Sequence, residues 1–189
     1  MPTSLSEKKL VYQVTKNHDP EAFASLYDLF VGRIYRFIFF KVNRKEEAED
    51  LVSEVFLKTW QYLTDNTDRE IKSFSGLIYQ IARNSLVDWY RAKANRPEFS
   101  LDIAPDVENI PGEDKMVANL MVAESAKVLL KQVRQMKQEY QEVILLRYIE
   151  ELSIKEIALI VKKSPINVRV TLHRATNILK KTMQNYEAP

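Results

Sequence analysis

Apolar residues return every three or four positions through most of the chain, and period-two alternation is scarce. Phe23, Leu26, Tyr27, Phe30, Ile34, Phe37 and Ile38 keep this spacing, which predicts one apolar stripe on a helix running to about Phe40. Asp19-Pro20-Glu21 opens that helix, with Asp19 as cap and Pro20 in the first turn, where a missing N–H loses no bond. The residues before it read as a short helix or a loose lead. Asn43, with Glu46 three positions on, starts the next helix. Its inward stripe is Ala48, Leu51, Val52, Val55, Phe56 and Thr59, ending at Trp60. Residues 62–72 are polar and predict a loop. A long helix follows over 73–94 with Leu77, Ile78, Ile81, Leu86 and Trp89 as its stripe.

The period then stops. Residues 97–115 hold Pro97, Pro105, Pro111 and Gly112 among Glu98, Asp102, Asp106, Glu108, Glu113 and Asp114, which predicts an acidic, flexible linker. It divides the chain into domains over 1–96 and 116–189. Helical spacing returns over 117–149 at Leu120, Val128, Leu129, Val133 and Met136, then at Tyr140, Val143, Ile144, Leu146 and Tyr148, with a break near Lys137.

Residues 152–181 read as a helix-turn-helix. Ser153 and Glu156 form a capping box, and Ser164-Pro165 makes a second helix start a turn later. Val168, Leu172, Ala175 and Leu179 fall on one stripe, facing Ile157, Ala158 and Val161 of the first helix. At about 100° per residue, the opposite side presents Ile166, Arg169, Val170, His173, Arg174, Asn177, Lys180 and Lys181, with no acid among them. Such a face suits the DNA major groove, where Arg pairs with guanine and short apolar groups meet thymine methyls. Lys162 and Lys163 stand in the turn where Gly enters the left-handed region freely, at a cost of about 1 kcal/mol. The expected fold class is therefore all-α, two helical domains, the second containing the helix-turn-helix.

Composition narrows the chemistry. In 189 residues there is no Cys, which excludes disulfides and thiolate metal sites, and only three Gly. The net charge of +2 hides an uneven distribution. Arg83, Arg91, Lys93 and Arg96 surround Trp89 and Tyr90, a mixture suited to unpaired bases and their phosphates. Glu47, Asp50, Ser53, Glu54 and Lys58 make the polar side of the second helix, a wet or docking face with no His nearby to complete a metal site. No signal pattern and no bilayer-length apolar run is present, so no membrane insertion and a cytoplasmic location are expected.

Three stretches together carry a family resemblance: A-E-D-L-V-S-E-V-F-L-K-T-W at 48–60, F-S-G-L-I-Y-Q-I-A-R-N-S-L-V-D-W-Y-R at 74–91, and the segment over 140–175. In this order they resemble the extracytoplasmic-function group of bacterial RNA polymerase sigma factors. The resemblance implies a non-catalytic specificity subunit, without cofactor or metal, whose partners are core RNA polymerase and promoter DNA, with an anti-sigma protein as a further candidate. It implies polymerase docking through Asp50, Ser53, Glu54 and Lys58. Contact with the melted promoter element falls to the loop over 65–72 and to Gln80, Arg83, Asn84, Trp89, Arg91 and Lys93. The distant element is read by Ile166, Asn167, Arg169, Val170, His173 and Arg174, and the linker follows the polymerase's RNA path. The chain departs from the family pattern at Lys137, Lys162, Ile166, Val170 and Thr171, which leaves the sequence of the distant element open.

Two other readings compete. A polymerase-independent helix-turn-helix regulator predicts a homodimer on paired half-sites, but has no use for the helix over 48–60. An enzyme finds little support, since there is no phosphate-cradling Gly loop, the His residues are His18 and His173, and no nucleophile lies in a triad pattern.

Overall fold

A computed structural model describes residues 4–42, 44–94 and 128–187. Every regular element among them is helical. The chain forms two compact units, one within residues 1–103 and the other within 104–189. The expected linker and both domain boundaries lie outside the described residues.

The first unit holds α1 (Ser4–Asn17), α2 (Pro20–Val42), α3 (Lys45–Asp65) and α4 (Phe74–Ala94). The segment expected to be a short helix or loose lead is the 14-residue α1, fixed by buried Val11 and Val14. Asp19 caps α2 as expected, its Oδ1 accepting from the backbone N–H of Glu21 at 2.9 Å and of Ala22 at 3.2 Å. The core is Leu26, Phe30, Ile34, Phe37 and Ile38 of α2 against Val52 and Val55 of α3 and Phe74, Ile78, Tyr79 and Ala82 of α4. Phe30 meets Phe74 and Phe37 meets Tyr79 edge to face, at 5.0 and 5.4 Å between ring centres.

Several expectations shift here. Asn43 is outside the described residues, and the cap residue of α3 is Arg44, whose side chain makes no capping bond. Glu46 and Glu47 in the first turn suit the helix dipole without it. Helix α3 continues past Trp60 to Asp65 because Leu63 adds another buried position and Thr64 bonds back to the carbonyl of Trp60, so the loop shortens to 66–73. Ser73 caps α4, accepting from the Gly76 N–H at 3.0 Å. The buried side of α4 is Ile78, Tyr79, Ala82, Ser85 and Leu86, while Leu77, Ile81 and Trp89 are only half-buried. Tyr79 takes the inside position because its ring fits beside Phe37. Phe23 and Tyr27 lie at the rim of the core, on Trp60 and Phe56.

The second unit holds α5 (described over 128–135), α6 (Gln138–Ile144), a π turn (Leu145–Ile149), α7 (Ile154–Val161) and α8 (Pro165–Glu187). The break falls at Lys137, as expected. The wide turn was not anticipated. The Glu150 N–H bonds five residues back to the Leu145 carbonyl at 3.0 Å, and the extra residue turns Tyr148 outward, 57% exposed. Leu145 is buried in its place, and Leu146 is buried as expected, beside Val143 and Ile144. Leu129 also stands at the surface.

Ser153 and Glu156 make both bonds of the capping box, at 3.3 and 2.9 Å, and Ser164 accepts from the Asn167 N–H at 3.2 Å. Val168 and Ala175 are buried against Ile157, Ala158 and Val161, with Ile160 as a further core residue. Leu172 and Leu179 are half-buried. Lys162 closes α7 in the left-handed region, φ 55° and ψ 44°. Lys162→Gly removes the clash of its Cβ there and is expected to stabilise the unit by about 1 kcal/mol in a denaturant titration; an unchanged or lower midpoint would count against that strain.

Candidate nucleic-acid interface

Helix α8 places Ile166, Asn167, Arg169, Val170, His173 and Arg174 together on its solvent side, all exposed. Ile166 and Val170, 68% and 43% exposed, are apolar side chains held in water on a basic face. The buried Val168 and Ala175 fix the rotation of the helix, so the outer residues have no alternative facing. His173 and Asn177 approach to 3.4 Å, one turn apart. The first acid of α8 is Glu187. Lys180 and Lys181 continue the basic side toward the C-terminal end.

The six residues expected at the melted element do not share a face. At about 100° per residue, Gln80, Arg83, Asn84 and Arg91 cluster on one side of α4, whereas Trp89 and Lys93 fall nearly half a turn away, in line with the buried stripe. Lys93 donates to both carboxylate oxygens of Glu47, at 3.0 and 3.1 Å, and its ammonium lies 4.1 Å from the centre of the Trp89 ring. Tyr90 donates its hydroxyl to the Lys41 carbonyl at 2.8 Å, and burial pushes its phenol pKa up. These bonds fasten the last turns of α4 to the start of α3 and the end of α2. Arg91 pairs with Asp88 at 3.5 Å, one turn earlier. In the loop over 66–73, Lys16 of α1 donates to the Thr67 carbonyl at 2.6 Å.

On α3, Asp50, Ser53 and Lys58 are exposed and Glu54 is half-buried. Glu54 and Lys58 form an ion pair, and both bond to Ser85 of α4, which accepts from Lys58 at 3.2 Å and donates to Glu54 at 3.1 Å. Ser85 is 1% exposed. This bridge was not foreseen, because its members lie 27 and 31 residues apart. Leu57, 58% exposed in the middle of the same polar face, was also passed over. The signal for it was present: position 57 follows Ser53 by four on a side of the helix otherwise polar.

The first unit matches the family model of Sigma-70 region 2 over residues 26–96, and the second that of Sigma-70, region 4 over residues 126–177. The ECF RNA polymerase sigma factor SigW of Bacillus subtilis (strain 168) is 31% identical over 186 residues, 94% of this chain and 97% of SigW. The chain belongs to the ECF RNA polymerase sigma factors. It is thus an alternative sigma factor that directs transcription initiation, with core RNA polymerase and promoter DNA as partners. The family is one of non-catalytic initiation factors. The ECF RNA polymerase sigma factor SigX of the same organism is 28% identical over 166 residues, 87% of this chain and 84% of SigX. The structure of CnrH in complex with the cytosolic domain of CnrY has the same fold, with a TM-score of 0.66 at 19% identity, covering 97% of this sigma factor and 99% of that chain. Membership in this family sets aside the polymerase-independent operator binder.

No helix among the described residues is long and apolar enough to cross a membrane, and no group of three His, Cys, Asp or Glu among them could hold a metal ion.

Proposed function

We propose that this sigma factor divides its work among three helices. The outer face of α3, with Asp50, Ser53, Glu54 and Lys58, docks on core polymerase. Gln80, Arg83, Asn84 and Arg91 on α4, with the loop over 66–73, hold the melted promoter strand. Trp89 and Lys93, in contact with each other and with Lys93 also paired to Glu47, brace that surface from within instead of reaching for bases. Ile166, Asn167, Arg169, Val170, His173 and Arg174 of α8 read the distant element. The protein is not an enzyme and works in the cytoplasm. CnrH carries the cytosolic domain of CnrY in its structure, and a regulatory protein partner is proposed here by analogy.

The exposed, acid-free face of α8 carries this reading, because its start, capped by Ser164, and its buried inner stripe leave it nothing to do within its own unit. Run-off transcription with core polymerase, with start sites mapped, tests it. Asp50→Lys and Glu54→Lys should suppress specific initiation, and full transcription by both would remove the α3 assignment.

Lys180 and Lys181 are exposed beyond the base-reading residues and are assigned to phosphates. Replacing both by Gln should flatten the plot of log affinity against log salt by about 2 units and leave base preference alone. A changed preference would place them at base edges.

A further inference from the structure

Among the large hydrophobic residues exposed in the described part of the first unit, Tyr12, Tyr27 and Tyr90 carry a polar hydroxyl, and Leu57 does not. Leu57 sits opposite the buried stripe of α3, at the midpoint of the polar face. Its neighbours one turn away are Ser53 and Glu54 before it and Gln61 and the half-buried Trp60 after it.

Three of the polar side chains beside Leu57 are engaged elsewhere. Lys58, whose long stem could cover an apolar neighbour, reaches sideways to Ser85 and Glu54. Glu54 is drawn the same way by Ser85. Ser53 turns its hydroxyl back to the Glu49 carbonyl at 3.0 Å. The result is an uncovered isobutyl group flanked by Ser53, Glu54 and Lys58, whose polar atoms are already bonded within the protein. Because Ser85 is itself buried, that flank is fixed before any partner arrives. An apolar centre inside a satisfied polar rim is the arrangement in which a single side chain dominates a protein–protein contact.

We propose that Leu57 is the apolar anchor of the polymerase contact, entering a slot on core polymerase while the Glu54–Lys58–Ser85 bridge holds the rim in place. The proposal rests on the assignment of the α3 face to polymerase. An exposed leucine contributes little to folding, so its side chain is free to act on binding alone.

The test uses the full chain, fluorescently labelled, titrated with core polymerase lacking any sigma factor, with thermal melting of each variant alongside. Leu57→Ala is expected to weaken binding about thirtyfold and Leu57→Asp more, with melting unchanged. Tyr12→Ser, an exposed residue on α1, should bind like the parent. Binding of both Leu57 variants within about twofold of the parent, while Asp50→Lys or Glu54→Lys weakens it, overturns the anchor and leaves the face standing. If none of the four variants weakens binding, the assignment of the face fails and the anchor with it. A lowered melting point for Leu57→Ala would make the residue structural and also overturn the proposal.

Discussion

Of Arg169→Ala and Arg174→Ala, one is expected to lower affinity for the distant promoter element about ten- to hundredfold and to lose preference at one base pair. A bidentate arginine–guanine contact contributes about 1–3 kcal/mol of discrimination, and both guanidinium groups stand on the exposed side of α8. The other arginine, five positions away along the helix, then meets phosphate and should weaken all sequences evenly. Lysine should not restore the lost preference, because it is a point charge and cannot make the paired bonds. Competition binding by the holoenzyme on promoters with single base-pair changes, at one fixed salt concentration, separates the two roles. Even losses from both variants would mean that α8 reads this element without arginine. The exposed Ile166 and Val170 add a second arm: thymine replaced by uracil in the element should weaken binding if they touch methyl groups.

Phe37→Ala should cost the first unit about 3–5 kcal/mol, a large share of the roughly 5–15 kcal/mol that holds an ordinary domain folded. Phe37 is 2% exposed and its ring packs edge to face on Tyr79, itself fully buried, so the cavity is lined by rigid aromatic and aliphatic groups that collapse poorly. The chain's two tryptophans, Trp60 and Trp89, both lie in this unit. Tryptophan fluorescence during urea unfolding therefore reports on it alone. Its midpoint should fall sharply, while the duplex binding proposed for α8 should be retained, because Val168, Ala175, Ile157 and Leu146 form a separate core. An unchanged midpoint would show that the α2–α4 seam is not where the unit's stability resides.

Some of this was legible from residue order alone. The Asp19 cap, the break at Lys137, both starts of the helix-turn-helix and the outward set on α8 were all read correctly, since each depends on residues within one or two turns of each other. The α3 stripe was equally clear. The α4 stripe was less so: this helix packs against α1, α2 and α3, and apolar residues occur on several of its sides. Spacing therefore favoured Leu77 and Ile81, where packing chose Tyr79 and Ala82. The π turn carries no residue signature, and the outward turn of Tyr148 follows from it alone.

Residue order thus determined the helices, their caps, the two-module plan and which flank of α8 faces water, because hydrogen bonding and amphipathic spacing act over a few residues. Only the folded chain decided what each charge does. Lys93 finds Glu47 across 46 residues, Lys58 finds Ser85 across 27, and Tyr90 reaches Lys41 across 49. A periodic stripe fixes a helix's rotation toward its core, but which side chains of neighbouring helices then come within bonding distance depends on how those helices cross. That crossing turned Lys93 inward and left Leu57 uncovered.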